Sequence, residues 1–179
     1  CPWCDTKNSW ATDLHPQETI EQLSASTSRA NKLGANFIII TGGEPLHHNL
    51  NPLCEKIREI TLTNNKMKMP IHIETSGVDS LSGNPDWITL SPKKHALPTA
   101  ELLRQCDELK IVIHEKEDIQ FAEKMAQDVK LSDRSKGKAL FFLQPGWDSQ
   151  EGQNLAFEFV RSHSEWRLSI QTHKWLGIL

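Results

Sequence analysis

Short apolar runs alternate with amphipathic stretches along most of the chain. Six apolar runs, rich in β-branched and aromatic residues, predict strands. They are Asn36–Thr41, Pro70–Thr75, Trp87–Ser91, Leu109–His114, Ala139–Gln144 and Trp166–Gln171. The first is apolar at successive positions, which is typical of a strand that is buried on both faces in a parallel sheet.

Helical periodicity fills most of the intervals between these runs. Pro16–Leu33 predicts a helix, with a proline suited to its first turn and Gly34 at its end. Further helices are predicted around Leu50–Ile60, Thr99–Cys106, Ile119–Val129 and Leu155–Val160. Alternation of strands and helices predicts a parallel α/β fold, and 179 residues favour one domain spanning 1–179.

Composition narrows the class of protein. A net charge of −3 gives no general case for binding nucleic acid or a membrane surface, and the aliphatic run Phe37–Ile40 is too short to cross a bilayer. Four cysteines are too few for a disulfide scaffold, so a cytoplasmic protein is expected. Cys54 and Cys106 fall on apolar helix faces and are expected to be core thiols.

Polar residues collect where the predicted strands end. In parallel α/β folds this edge of the sheet binds ligands, and turns alone would not require Glu, Lys, Gln and His there. The segments are TGGEP (Thr41–Pro45), ETSG (Glu74–Gly77), SPKK (Ser91–Lys94), QPGWD (Gln144–Asp148) and QTHKW (Gln171–Trp175).

The opening segment CPWC, with Cys1 and Cys4, has three competing explanations. A thioredoxin-type redox pair needs a strand directly before the motif. A zinc site needs a second pair of ligands, which Cys54 and Cys106 do not supply at the usual spacing. Iron–sulfur ligation needs thiolates and can leave one iron open for another ligand.

Taken together, CPWCDT, TGGEP, ETSG, SPK, LQP and the terminal WRLSIQTHKWLGI resemble the 7-carboxy-7-deazaguanine synthase family. This is a family of radical S-adenosylmethionine (SAM) enzymes in queuosine and 7-deazaguanine biosynthesis. The resemblance implies a partial TIM-like (β/α) barrel of parallel strands, the radical SAM core, and a homodimer. It also implies conversion of the small-molecule substrate 6-carboxy-5,6,7,8-tetrahydropterin to 7-carboxy-7-deazaguanine, with loss of ammonia.

The resemblance further implies three cofactors: a [4Fe-4S] cluster, SAM and Mg²⁺, with an electron donor such as flavodoxin or ferredoxin. Cys1 and Cys4 match two cluster ligands, and Thr6 matches the magnesium ligand. The residues that match SAM-binding positions are Trp3, Cys4, Asp5, Gly43, Ser91, Pro92, Lys93, Gln144, Pro145, Gly146 and Trp147. Thr41 and His173 match substrate contacts.

The family's first cluster cysteine would lie four residues upstream of Cys1. We therefore expect an N-terminal truncation that lacks the first strand and one cluster ligand. Two other functions share part of the pattern: a radical SAM enzyme that activates glycyl-radical proteins, and a zinc- or thiol-based binding module without turnover. Iron with sulfide favours an enzyme, whereas stoichiometric zinc favours the module.

Overall fold

The chain forms one six-stranded, fully parallel sheet in a computed structural model. The structure describes Lys7 and residues 16–65, 68–132 and 138–177, with only the backbone for 63–65. The strands are β1 (Ile38–Ile40), β2 (Ile71–Thr75), β3 (Trp87–Leu90), β4 (Glu108–Ile113), β5 (Leu140–Pro145) and β6 (Trp166–Leu168). All five pairings are parallel, so the predicted α/β class is confirmed.

Helices connect the strands near the predicted positions. They are α1 (Ile20–Lys32), α2 (Asn51–Asn65), α3 (Ala100–Gln105), α4 (Lys116–Leu131), α5 (Gln150–Ser162) and α6 (Thr172–Trp175), with a 3-10 helix at Pro45–His47. Helix α1 begins later than predicted. Thr19 caps it, because the Thr19 hydroxyl accepts from the Gln22 amide while the Gln22 side chain accepts from the Thr19 amide. Pro16 therefore precedes the helix.

The strands follow one another across the sheet in sequence order, β1-β2-β3-β4-β5-β6. Right-handed connections in that order put the connecting helices on a single face, as in the wall of a barrel. The order never reverses, which distinguishes the sheet from a doubly wound one. Strands β1 and β6 do not pair with each other, so the barrel is partial and open.

The hydrophobic core lies between the sheet and its helices. Alternate strand residues enter it: Ile71, Ile73, Ile111, Phe141 and Leu143 are each at most 2% exposed. The predicted core thiols are confirmed, since Cys54 is 1% exposed and Cys106 is fully buried.

The opposite face of the sheet is polar and half-open. Glu74 on β2, Lys110 on β4 and Gln144 on β5 alternate with the core residues and are half-buried. Ile39 on β1 is 48% exposed, so the second apolar face predicted for this strand is not covered by the described residues. This face forms the concave side of the partial barrel.

The last predicted strand is shorter than the apolar pattern suggested. Strand β6 ends at Leu168, and Gln171 instead precedes α6, where the Lys174 amide donates to its carbonyl. The prediction of a strand through Gln171 was wrong because a turn, in which the Thr172 amide bonds the Ile170 carbonyl, follows the strand. None of the described helices is both long and apolar enough to span a membrane.

Candidate functional site

A cavity of about 450 Å³ opens at the edge where the parallel strands end. Seven of the residues predicted to bind SAM or substrate line it: Thr41, Gly43, Ser91, Lys93, Gln144, Trp147 and His173. They come from the ends of β1, β3 and β5 and from the segment after β6. The parallel topology brings these distant segments together, because it puts every strand's carboxyl end at the same edge.

Other predicted residues lie beside this cavity rather than in its lining. Pro92 lines a neighbouring cavity of about 720 Å³, and Pro145 and Gly146 line another of about 520 Å³. Trp147 borders both the 450 Å³ and the 520 Å³ cavities, as do Ser169, Ile170 and Gln171. The predicted residues Cys1, Trp3, Cys4, Asp5 and Thr6 lie outside the described residues.

The loop after β1 leaves its backbone accessible. A Cβ atom built on Gly42 or Gly43 would meet no other atom within 4 Å, and Gly42 adopts φ +139°, which side-chain-bearing residues rarely adopt. A ligand can therefore approach the main chain directly. This open, side-chain-free rim fits a molecule with its own hydrogen-bonding groups, such as the amino acid part of SAM.

Glu44, in the same segment, serves the scaffold. Its carboxylate accepts hydrogen bonds from the Leu46 amide (3.2 Å) and the Thr75 hydroxyl (2.5 Å). It also accepts from the Ser76 amide (2.7 Å) and the Ser76 hydroxyl. One carboxylate thus joins the loop after β1 to the end of β2, and it keeps Thr41 and Gly43 beside Ser76 at the cavity.

Lys93 occupies the cavity side of the loop after β3. Its ammonium group donates to the Ser91 hydroxyl at 3.0 Å, so two predicted SAM-binding side chains touch each other. Across the opening, Trp147 packs edge-on against Trp175 with ring centroids 6.3 Å apart, and the Lys174 ammonium lies 5.1 Å from the Trp147 ring centroid. These contacts link the loop after β5 to helix α6.

Three lining residues, Lys110, His114 and Ser169, were missed by the sequence patterns, whereas Glu74, Ser76 and Gln171 lie in the predicted strand-end segments but were given no individual role. Glu74 and Lys110 form an ion pair at 2.9 Å on the concave face, with side chains 37% and 14% exposed. Burial raises the pKa of nearby Glu108, and the Glu74 charge also raises it, against the lowering effect of Lys110. Charged residues at alternate positions of otherwise apolar parallel strands were the signal that could have identified this face.

The described cysteines do not fit an iron–sulfur site at this cavity. Cys54 and Cys106 are buried in the core, and burial raises the pKa of the Cys54 thiol, which disfavours the thiolate that a cluster requires. Within the described ranges, no three His, Cys, Asp or Glu residues form a group that could hold a metal. The predicted cluster ligands Cys1 and Cys4 lie outside the described residues.

Known proteins resemble this chain over nearly its whole length. A 7-carboxy-7-deazaguanine synthase of Prochlorococcus marinus is 54% identical over 189 residues, covering 100% of this chain and 84% of the relative. One from Synechocystis is 42% identical, covering 99% of this chain and 78% of the relative. No protein-family model matches the chain.

A solved structure agrees with these relatives. The crystal structure of QueE from Escherichia coli matches with a TM-score of 0.71 and 26% sequence identity, over 96% of this chain and 79% of that one. The consecutive parallel strand order and the ligand-binding edge are consistent with this similarity. From the extent of sequence identity together with the shared fold, this chain belongs to the 7-carboxy-7-deazaguanine synthase family.

Proposed function

We propose that the chain catalyses the reaction of its family, conversion of 6-carboxy-5,6,7,8-tetrahydropterin to 7-carboxy-7-deazaguanine with loss of ammonia. One observation carries the proposal: a single cavity is lined by seven of the expected SAM and substrate residues, which follow four different strands. Its volume of about 450 Å³ lies within the range of roughly 300–1,000 Å³ usual for small-molecule sites. Its polar lining suits ligands that carry amino, carboxylate and amide groups.

Cys1 and Cys4 are proposed to hold the [4Fe-4S] cluster, with Trp3 and Asp5 beside SAM. When bound, the cluster and SAM supply the one-electron chemistry that removes a hydrogen atom from the substrate. Thr6 is proposed to bind Mg²⁺ through its hydroxyl, a hard oxygen ligand suited to a hard cation.

The SAM side of the cavity is assigned to the loops after β1, β3 and β5. Gly43 leaves the main chain open to the ligand, and Ser91 and Lys93 offer a hydroxyl and an ammonium group 3.0 Å apart. Pro92 shapes the same loop. On the other side, Gln144 and Trp147 offer an amide and an aromatic ring, with Pro145 and Gly146 forming the backbone between them.

The substrate is assigned to the part of the cavity near Thr41 and His173, which both line it. The Thr41 hydroxyl and the His173 imidazole can each donate or accept a hydrogen bond, as orientation of a pterin with mixed donors and acceptors requires. The Glu74–Lys110 pair on the cavity floor supplies one charge of each sign at 2.9 Å separation.

A paired substitution tests this assignment. Lys93→Met should weaken SAM binding by about tenfold or more, because it removes a charged hydrogen-bond donor from the cavity. Lys68→Met removes a lysine at the opposite edge of the sheet, where Lys68 pairs with Asp86, and should leave SAM binding unchanged. Binding is measured by calorimetry, and product formation is followed anaerobically with SAM, a reductant and 6-carboxy-5,6,7,8-tetrahydropterin.

The outcomes separate the alternatives. Formation of 7-carboxy-7-deazaguanine supports the proposal, and its absence in an iron- and sulfide-containing preparation that binds SAM favours a glycyl-radical-activating enzyme. Stoichiometric zinc instead of iron would indicate a binding module. Equal SAM affinity in Lys93→Met would remove Lys93 from the site. The homodimer and the flavodoxin or ferredoxin donor stay predictions from the family resemblance.

A further inference from the structure

Asp118 lines the neighbouring 720 Å³ cavity and holds two loops that border the 450 Å³ cavity. It occupies the first turn of α4, and its side chain is 8% exposed. One carboxylate oxygen accepts from the amides of His114 (2.7 Å) and Glu115 (3.0 Å), which fixes the loop between β4 and α4. The other oxygen pairs with the Lys94 ammonium at 2.5 Å, in the loop after β3.

Each group held by Asp118 adjoins a segment expected to bind SAM. Lys94 directly follows Lys93, whose ammonium lines the cavity. His114 lines the same cavity, and its imidazole lies against Gly146: a Cβ atom on Gly146 would come within 2.1–2.7 Å of the ring. A displacement of the Lys94–Asp118 pair would therefore move both sides of the SAM cavity.

Asp118 also caps the start of α4, where its carboxylate accepts from the Glu115 amide, so positioning has to be distinguished from local stability by a comparison. At the opposite edge of the sheet, Asp86 accepts from the Ile71 amide at 3.0 Å and pairs with Lys68 and, at 3.4 Å, with Arg58. Asp86 and Asp118 thus combine the same interactions, a backbone amide and a lysine. Only Asp118 has residues of the 450 Å³ cavity attached to its partners.

We propose that Asp118 and Lys94 are positioning residues for SAM, which hold Lys93 and His114 at the spacing that the bound cofactor requires. Neither needs to touch SAM. The inference rests on the proposed function, because it takes this cavity to be the SAM site. Lys94 also pairs with Glu115 at 2.8 Å, and this more exposed contact supports the same loop.

The test compares matched variants of the protein with the expected upstream cluster cysteine present, reconstituted anaerobically with iron and sulfide and left unreduced. Asp118→Asn and Lys94→Met should each weaken SAM binding by about tenfold, the usual cost of losing a group that orients a ligand-binding residue. Their combination should weaken it no further, because both remove one interaction. Lys94→Arg keeps the ion pair and should retain near-normal affinity.

Asp86→Asn is the control for a purely structural effect. It should lower the unfolding temperature about as much as Asp118→Asn and leave the SAM dissociation constant unchanged. Amide hydrogen exchange gives a readout without any ligand: exchange at His114 and Glu115 should accelerate in Asp118→Asn and not in Asp86→Asn. Lys94→Met decides the matter if Asp118→Asn fails to fold, since Lys94 is 39% exposed.

Three results would overturn the inference. The first is SAM affinity within twofold of wild type in both Asp118→Asn and Lys94→Met, while wild type binds normally. That result would show that the pair does not position the SAM-binding residues, and the proposed function would still stand. An equal loss of affinity in Asp86→Asn assigns the effect to general stability. Wild-type protein that holds its cluster and binds no SAM overturns the proposed function, and this inference with it.

Discussion

Both edges of the sheet carry carboxylates that accept from backbone amides, but these carboxylates serve different purposes at the two edges. At the amino edge, Asp86 accepts from the Ile71 amide and Asp107 from the Ile88 amide (2.8 Å), at the starts of β2 and β3. Arg58 completes this edge by donating to the carbonyls of Gly83 (3.1 Å) and Asn84 (2.5 Å). These interactions fix the turns that enter the sheet.

At the carboxyl edge, Glu44 and Asp118 satisfy loop amides in the same way, and a second set of side chains faces the cavity. The difference teaches that a carboxylate at a strand end is not by itself a functional signal. Glu44 lies in the most recognisable motif of the chain, yet its four hydrogen bonds go to Leu46 in its own segment and to Thr75 and Ser76 at the end of β2. Function is indicated by the side chains that remain directed at the opening.

The largest effect is expected at Glu44. Glu44→Ala should lower the free energy of unfolding by about 2–4 kcal/mol, because it removes a charged acceptor and leaves buried donors unpaired. It should also reduce SAM binding, since the loop after β1 lines the cavity. Chemical denaturation measures the first effect and calorimetry the second. Glu44→Gln, which keeps the shape and one acceptor oxygen, should lie between; a loss below 1 kcal/mol in Glu44→Ala would contradict the role given to this network.

Glycines at the two edges sharpen the comparison. Gly83→Ala should cost about 2 kcal/mol of stability without affecting SAM binding, because Gly83 adopts φ +82° and the new Cβ would lie 2.7 Å from the Cys54 sulfur. Gly146→Ala should cost about 1 kcal/mol, since the nearest atoms to its Cβ belong to the His114 side chain, which can shift, yet it should weaken SAM binding. Thermal unfolding and calorimetry test both variants. Equal SAM affinity in the Gly83→Ala and Gly146→Ala variants would show that displacement of the His114 ring does not affect SAM binding.

The smallest effect concerns the concave face between the edges. The pKa of Glu108 is raised by burial above its ordinary value of 4.5, with Lys110 opposing and Glu74 adding to the rise. Wild-type protein therefore loses stability as the pH rises from about 4.5 through the higher folded pKa, where the carboxylate must ionise. Glu108→Gln avoids that cost and should raise the unfolding temperature by about 1–3 °C at pH 7.5.

The pH dependence provides the control for Glu108→Gln. Near pH 4 Glu108 is largely protonated in both states, so the variant should gain nothing there. A lower unfolding temperature for Glu108→Gln at pH 7.5 would mean that the Lys110 attraction outweighs burial. That result would reverse the direction assigned to the pKa shift of Glu108.

The sequence predicted the order of strands and helices well, because parallel strands and amphipathic helices leave different periodicities. It also predicted Thr41, Lys93, Gln144 and His173 as neighbours, since each follows a strand of one parallel sheet. It did not reveal that the Glu44 carboxylate would accept hydrogen bonds from two amides and two hydroxyls. Side-chain hydrogen bonds between residues more than thirty positions apart leave no local pattern.

That Glu74, Lys110 and Gln144 share one face of the sheet was missed for a different reason. A parallel strand is expected to be apolar on both faces, and Glu74, Lys110 and Gln144 depart from that expectation only one residue at a time. Their common side becomes apparent only when the register aligns Glu74 with Thr89 and Thr89 with Glu108. Single-strand patterns contain no information about that alignment.

The consecutive strand order also bears on how the polypeptide acquires its structure. Each strand after β1 pairs with the one before it in the sequence, so each new pairing closes only the connection between two consecutive strands. A chain emerging from the ribosome can therefore add units one at a time to an existing edge, without waiting for a distant partner. Of the described elements, β6 and α6 follow all the others, so His173 and Trp175 reach the site only after strands β1 to β5 can already have formed.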